Sequence, residues 1–290
     1  MDILVPYPPN SPLAYNEDEI VGLITEIYVM LIALCYYNRE DVVFPPADTS
    51  RHILKSPLVQ ELTPRAVSLL ERIPYCTRRI HDRPFLYPYS FPINYLDEEE
   101  FRLGREPLPG SRGDAARKLQ PHDVAISTCF DPEGTTLISD TEGNSIQRIT
   151  GPSTPEENKR WDHDIVYEFP DTWFAYRNYP GYHAASVLRN YIGRLKSLSV
   201  VPNSSGGRLV YGSLLLWGGK ELRSILNDEY GWPENFGEND WARHYEGVWE
   251  DASNRAGERL DNLTEAENNR MLSEYPEDDI VLKLSRYCIA

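Results

Sequence analysis

The sequence predicts an α+β fold: a central antiparallel sheet laid out as a meander, flanked by helices and followed by a helical C-terminal extension. Three observations predict it. Apolar residues recur at helical spacing near the N-terminus and again after residue 183. Between residues 123 and 150, three short β-rich runs are separated by turn sequences. Hydrophobic residues make up 41% of the 290, enough to bury a sizeable core. The division expected is an α+β domain over 1–200 and a helical extension over 201–290 packed on it, or one domain overall.

The first helix is expected over 16–38. Asn16 followed by Glu19 is an N-cap with a carboxylate three residues on. Ile20, Leu23, Ile24, Ile27, Tyr28, Leu31 and Leu34 then line one face, and Val29, Met30 and Ile32 widen it. Pro45 and Pro46 prevent continuation. A second helix is expected over 63–73, with Thr63 as cap, Pro64 at the first helical position and Pro74 as stop. From Arg83 to Tyr95, aromatics alternate with Pro84, Pro88 and Pro92, which block ladder and helix alike, so an extended packed loop is expected. Residues Asp97 to Lys118 read as a charged, flexible stretch, with Asp97 to Glu100 a solvated face or a helix start rather than a calcium loop.

The strand-like runs are Asp123 to Phe130, Thr135 to Asp140 and Ser145 to Thr150. Asp131-Pro132-Glu133-Gly134 and Thr141-Glu142-Gly143-Asn144 between them are good turn sequences, and such short connections favour antiparallel neighbours. Ile165 to Phe169 and Trp173 to Tyr176 are candidates for a further strand, extending the sheet to about Phe169. A helix over 183–198 follows, with Ala184, Val187, Leu188, Tyr191, Ile192 and Leu195 on one face. Asn203 to Arg208 reads as a polar loop. Further helices are expected over 220–230, stopped by Gly231, and from Glu238 to about Asn269, where Trp241, Tyr245, Val248 and Trp249 share a face.

Charge and composition exclude several functions. A net charge of −16 and a pI near 4.8 oppose binding to a phosphate backbone or an anionic membrane. Arg112, Arg117 and Lys118 form the best basic patch, but Asp114 lies among them and no aromatic interleaves to stack on bases. No nucleic-acid partner is expected. Cys35, Cys76, Cys129 and Cys288 are far apart without a CxxC, so neither a disulfide framework nor a zinc ribbon is implied. The N-terminus lacks a basic n-region and a cleavage-site pattern, and Ile20 to Tyr37 contains Glu26 and is too short to span a bilayer. A cytoplasmic protein without a membrane segment is expected.

There is no GxSxG, no GxGxxG and no P-loop: Gly218-Gly219-Lys220 lacks the upstream glycine and the hydroxyl after lysine. His163 stands between Asp162 and Asp164, but neighbours in an extended segment point to opposite faces, so these three cannot share one ion unaided. They are retained as candidate binding residues. His52, His81, His122, His183 and His244 are scattered, with no HxxxH or HxH spacing, so no metal site and no cofactor are expected. Trp232, Trp241 and Trp249 are the remaining candidates, as aromatic anchors for a partner.

Two features look familiar together. Thr135 to Thr150, with Asp140 and Gly143 at the turn, resembles the strand–turn–strand of SMI1/KNR4 (SUKH) domains, and the helix over 183–198 resembles the one that closes them. The corner Tyr230-Gly231-Trp232-Pro233 with Phe236, and the Trp241–Trp249 helix, are similar to uncharacterised proteins of filamentous fungi. The resemblance implies a non-enzymatic binding module whose partner is another protein. The alternative is an enzyme of unfamiliar type in fungal specialised metabolism, with an aromatic-lined pocket for a small molecule.

Overall fold

A computed structural model describes residues 14–45, 51–107, 118–129, 134–150, 176–179, 181–203, 208–211 and 219–261. Two compact units are formed, Met1–Leu209 and Val210–Ala290. The fold class is α+β, with helices around a five-stranded antiparallel sheet in meander order. Among the described residues, no helix is long and apolar enough to cross a membrane.

Helix α1 (Glu17–Ala33) starts where its cap requires: the Glu19 N–H donates to Asn16 Oδ1 at 3.3 Å, and three acids occupy the first turn, at the positive end of the helix dipole. It stops at Ala33 rather than 38. Cys35 adopts a φ of +57°, and the N–H groups of Tyr36 and Tyr37 both return to the Leu31 carbonyl. The apolar run therefore continues as a buried turn instead of a helix. Strands β1 (Val42–Val43) and β2 (Tyr75–Cys76) form a small antiparallel pair on either side of α2 (Pro64–Leu70). Thr63 caps α2 by accepting the Ala66 N–H.

The proline-rich segment 83–95 is packed as expected, but it also supplies the sheet with its first edge, β3 (Phe91–Pro92). Proline is tolerated there because an edge strand needs ladder bonds on one side alone. The segment's carbonyls find side-chain donors instead. Tyr37 donates to Pro84 O at 2.8 Å, and Tyr191 donates to Leu86 O at 2.8 Å, while the Phe85 N–H donates to Tyr36 Oη. The fully buried Arg83 donates to Pro92 O at 2.5 Å and to Arg78 O, and forks onto both oxygens of Glu100 at 2.7 Å. Burial pushes the Tyr36 and Tyr37 hydroxyls well above their usual pKa, so both remain donors at any physiological pH.

The charged stretch after Asp97 is not a loop over its first part. Helix α3 (Glu98–Arg105) is capped by Asp97, which accepts the Glu100 N–H at 3.0 Å, and buries Phe101 and Arg105. Residues 108–117 of that stretch lie outside the described residues. Arg105 reaches back to the chain before the sheet, donating to Asp123 O at 3.0 Å, Leu119 O at 2.5 Å and Gln120 O at 3.2 Å.

Strands β4 (Asp123–Thr128), β5 (Thr135–Asp140) and β6 (Ser145–Thr150) follow the predicted runs closely. Asp123 pairs with Asp140 at the open end of β4–β5, and a bulge between Ala125 and Ser127 shifts the register beyond it. The β5–β6 register is unbroken from Thr135↔Thr150 to Asp140↔Ser145. Gly134 is required where β5 begins, since a Cβ there would stand 2.1 Å from Cys129 Cβ. Among the described residues the sheet ends at β7 (Gly181–His183), which pairs with β6; of the strands expected at 165–169 and 173–176, all but Tyr176, which opens a short helical turn, lie outside the described residues. Helix α4 (Ala184–Lys196) packs against α1, with Arg189 on Glu19 and Lys196 on Glu26 at 2.8 Å.

Strands β8 (Val200–Asn203) and β9 (Arg208–Tyr211) form a ribbon that flanks the expected polar loop, whose residues 204–207 lie outside the described residues. In the second unit, α5 (Gly219–Asp228) packs against α6 (Glu238–Asp261). Gly231 takes a φ of +72° and closes on Asn235, where a side chain would collide.

The Arg83–Glu100 clamp gives a test of this fold. Glu100→Ala leaves a buried guanidinium charge without its counter-ion, which is expected to cost about 3–5 kcal/mol in urea unfolding. A loss comparable to that of a surface ion pair, below about 1 kcal/mol, would show that the clamp is not buried in solution.

Candidate functional site

The most concentrated polar chemistry among the described residues lies at the open end of β4–β5. The register sets Asp123 directly opposite Asp140, so two carboxylates meet across the strands. Asp123 is fully buried, and Asp140 nearly so. Asp140 is fixed by the turn that follows it: its Oδ1 accepts the N–H groups of Glu142 at 2.9 Å and Gly143 at 2.7 Å. Asn144 completes that turn with a φ of +52°.

Two groups from the short helical turn Tyr176–Asn178 close over this pair. Arg177 Nη2 donates to Asp123 Oδ2 at 2.6 Å, and its Nη1 lies 3.5 Å from Asp140 Oδ2. The Tyr176 hydroxyl donates to Asp123 Oδ2 and accepts the Gln120 N–H at 2.9 Å. His122, partly exposed, brings Nε2 to 3.9 Å from Asp123 Oδ1 and 4.0 Å from Asp140 Oδ1, with Nδ1 3.7 Å from Glu142 Oε2. Arg177 Nη2 also contacts His122 Nε2. A guanidinium can only donate, so Nε2 is the acceptor in that contact.

The electrostatics are unbalanced. Burial pushes the Asp123 carboxyl above the usual carboxylate range, and the nearby Asp140 adds to this; Arg177 and the Tyr176 hydroxyl pull it down without overcoming burial. Burial also works against the charge on Arg177, but there Asp123, Tyr176 and Asp140 outweigh it and hold the guanidinium protonated. Asp123 Oδ1 has no hydrogen-bond partner among the described residues. A buried carboxylate oxygen in that position is costly unless another group compensates it.

A second feature is an open cleft of about 640 Å³ at the N-terminus of α1, lined by Tyr15, Asn16, Glu17, Asp18, Arg65 and Arg72. Arg72 bridges Glu17 at 2.7 Å and Asp18 at 2.5 Å, tying α2 to α1, while Arg65 is exposed on its rim. Tyr15 presents a largely buried ring whose hydroxyl burial pushes well above its usual pKa.

The residues singled out from sequence fall elsewhere. Asp162, His163 and Asp164 lie outside the described residues. Trp232, Trp241 and Trp249 are all buried in the second unit: Trp232 meets the edge of Phe236 at 4.9 Å, and Trp241 that of Tyr230 at 5.1 Å. That places them in the packing of α5 on α6 rather than on an exposed face. The His122 cluster escaped a search by local spacing because its members meet through strand register. One signal was available: Asp123 and Asp140 lie equally far from the Asp131-Pro132 turn, as cross-strand partners must.

Comparison with protein-family models, with curated proteins and with solved structures finds no match to this chain.

The raised pKa of Asp123 makes a signed prediction. Its contribution to stability is present below the ordinary carboxylate pKa of about 4 and is lost as pH rises through its higher folded value. Wild type measured against Asp123→Asn is therefore expected to lose relative stability as pH is raised through the weakly acidic range. A relative gain over the same range would mean that the Arg177 pairing outweighs burial.

Proposed function

We propose that the chain is a non-catalytic protein-interaction module, the role implied by its resemblance to SUKH domains. The observation that carries this reading is the cleft beside α1. It is open rather than enclosed, and its lining combines an aromatic ring with charges of both signs. Small-molecule sites are enclosed and mostly apolar, with a few converging polar groups. A mixed, open wall suits a segment of another protein, whose long charged side chains and apolar stems it can meet at once.

Two further features support the reading. The aromatic side chains that an enzyme pocket would use are spent on the core: Tyr28, Tyr36, Tyr37, Tyr75 and Tyr95 are buried among one another and on backbone carbonyls. The net charge of −16 steers a basic partner towards the surface and repels acidic ones.

Site-specific photocrosslinking in the native cell tests it. A photoreactive residue at position 65 is expected to trap a discrete protein that the same residue at position 223, on α5, does not. Asp18→Lys is expected to weaken binding of that protein by about tenfold, because it sets a positive charge against a basic partner and like charges meeting at an interface are penalised. Identical capture from both positions, or turnover of a metabolite by the purified chain, would contradict the reading.

A further inference from the structure

We propose that His122, Asp123 and Asp140 form a binding site for a divalent transition-metal ion, with Arg177 as the internal cation that spans the two carboxylates. The inference stands apart from the interaction reading and rests on four features of the cluster.

The first is the orphaned oxygen. Asp123 Oδ1 is buried, lacks a hydrogen-bond partner among the described residues, and faces His122 Nε2 at 3.9 Å. The second is the division of labour between carboxylate oxygens. Arg177 addresses Oδ2 of both aspartates, leaving both Oδ1 atoms turned towards the imidazole. The three donor atoms lie within 4.8 Å of one another. Two ligands each about 2.1 Å from one ion stand at most roughly 4.2 Å apart; the 3.9 and 4.0 Å separations from Nε2 meet that limit, and the set as a whole, within 4.8 Å, meets it after at most a small inward shift.

The third feature is the orientation of the ring. His122 turns Nε2 towards Asp123 and Asp140, and Nδ1 faces Glu142 Oε2 at 3.7 Å. A carboxylate behind the imidazole is the usual device for orienting a ligating histidine. The fourth is charge: the carboxylates of Asp123 and Asp140 share one guanidinium, and Glu142 stands behind the imidazole. A divalent ion supplies the missing compensation. Its entry breaks one contact, Arg177 Nη2 to His122 Nε2, at the partly exposed side of the cluster.

The donor set fixes the class of ion. One imidazole with two carboxylates suits zinc, manganese or iron(II), whereas calcium takes six to eight oxygens. The backbone N–H groups of Glu142 and Gly143 fix the direction of Asp140 Oδ1 and moderate it as a donor, so the affinity is set below that of an all-side-chain structural zinc site.

Titration of the untagged full chain with Zn²⁺, followed by calorimetry and by the imidazole nitrogen signals, decides the matter. The expected result is one saturable site that Mg²⁺ and Ca²⁺ do not fill. The His122 signal should shift while those of the other five histidines stay in place. His122→Gln is expected to abolish the site, and Glu142→Gln to weaken it by roughly tenfold, as loss of an orienting carboxylate does. Arg177→Gln, which removes the competing cation, is expected to bind zinc at least as tightly as wild type. Absence of saturable binding in wild type, or binding that survives His122→Gln unchanged, would overturn the proposal. The imidazole readout on wild type needs no variant to fold.

Discussion

Burial of the Asp123 carboxylate opposite Asp140 is the constraint around which this end of the sheet is arranged. Strand register alone brings the two acids together, and the cost of burying them must be met locally. Arg177 and Tyr176 meet it from one side and thereby fix the short turn that carries them. Tyr176 passes the constraint on by accepting the Gln120 N–H, and Arg105 completes it by holding the carbonyls of Leu119, Gln120 and Asp123 itself. The entry to β4 is thus held by side chains from two other elements. His122 owes its position to that entry.

The same logic governs the proline-rich segment. Proline and extended backbone leave carbonyls without ladder partners, and a buried unpaired carbonyl is costly. Tyrosines from α1's exit and from α4, together with Arg83, supply the donors. That explains why so many tyrosines are buried in an acidic chain: each pairs a large apolar ring with one hydrogen bond to a backbone group. The buried polar groups around the proline-rich segment are therefore spent largely on backbone satisfaction.

Much of this architecture was legible in the sequence. The Asn16 cap and the stripe from Ile20 to Leu34 gave α1, and the turn residues after Phe130 and Asp140 gave the meander strand by strand. Helix α3 was half legible, because Asp97 to Glu100 read as a solvated face or a helix start within a stretch expected to be flexible. In the structure they are a capping aspartate and an acidic first turn, with Phe101 and Arg105 as the buried face. The end of α1 was misplaced because Cys35, not a glycine, adopts the left-handed conformation. The His122 cluster could not be read from spacing, since Arg177 and Asp140 reach it through tertiary packing and cross-strand register. Of the tryptophans chosen as anchors, Trp241 and Trp249 already shared one helix face with Tyr245 and Val248, the spacing of a core.

The coupling between Asp123 and Arg177 holds this end of the sheet together, and a double-mutant cycle measures it directly. Urea unfolding of wild type, Asp123→Asn, Arg177→Gln and the double variant at neutral pH is expected to give a coupling energy of about 1–3 kcal/mol, as for residues in one buried network. Additive effects would show that the two side chains do not meet in solution, and the cluster built around them would fall with that result.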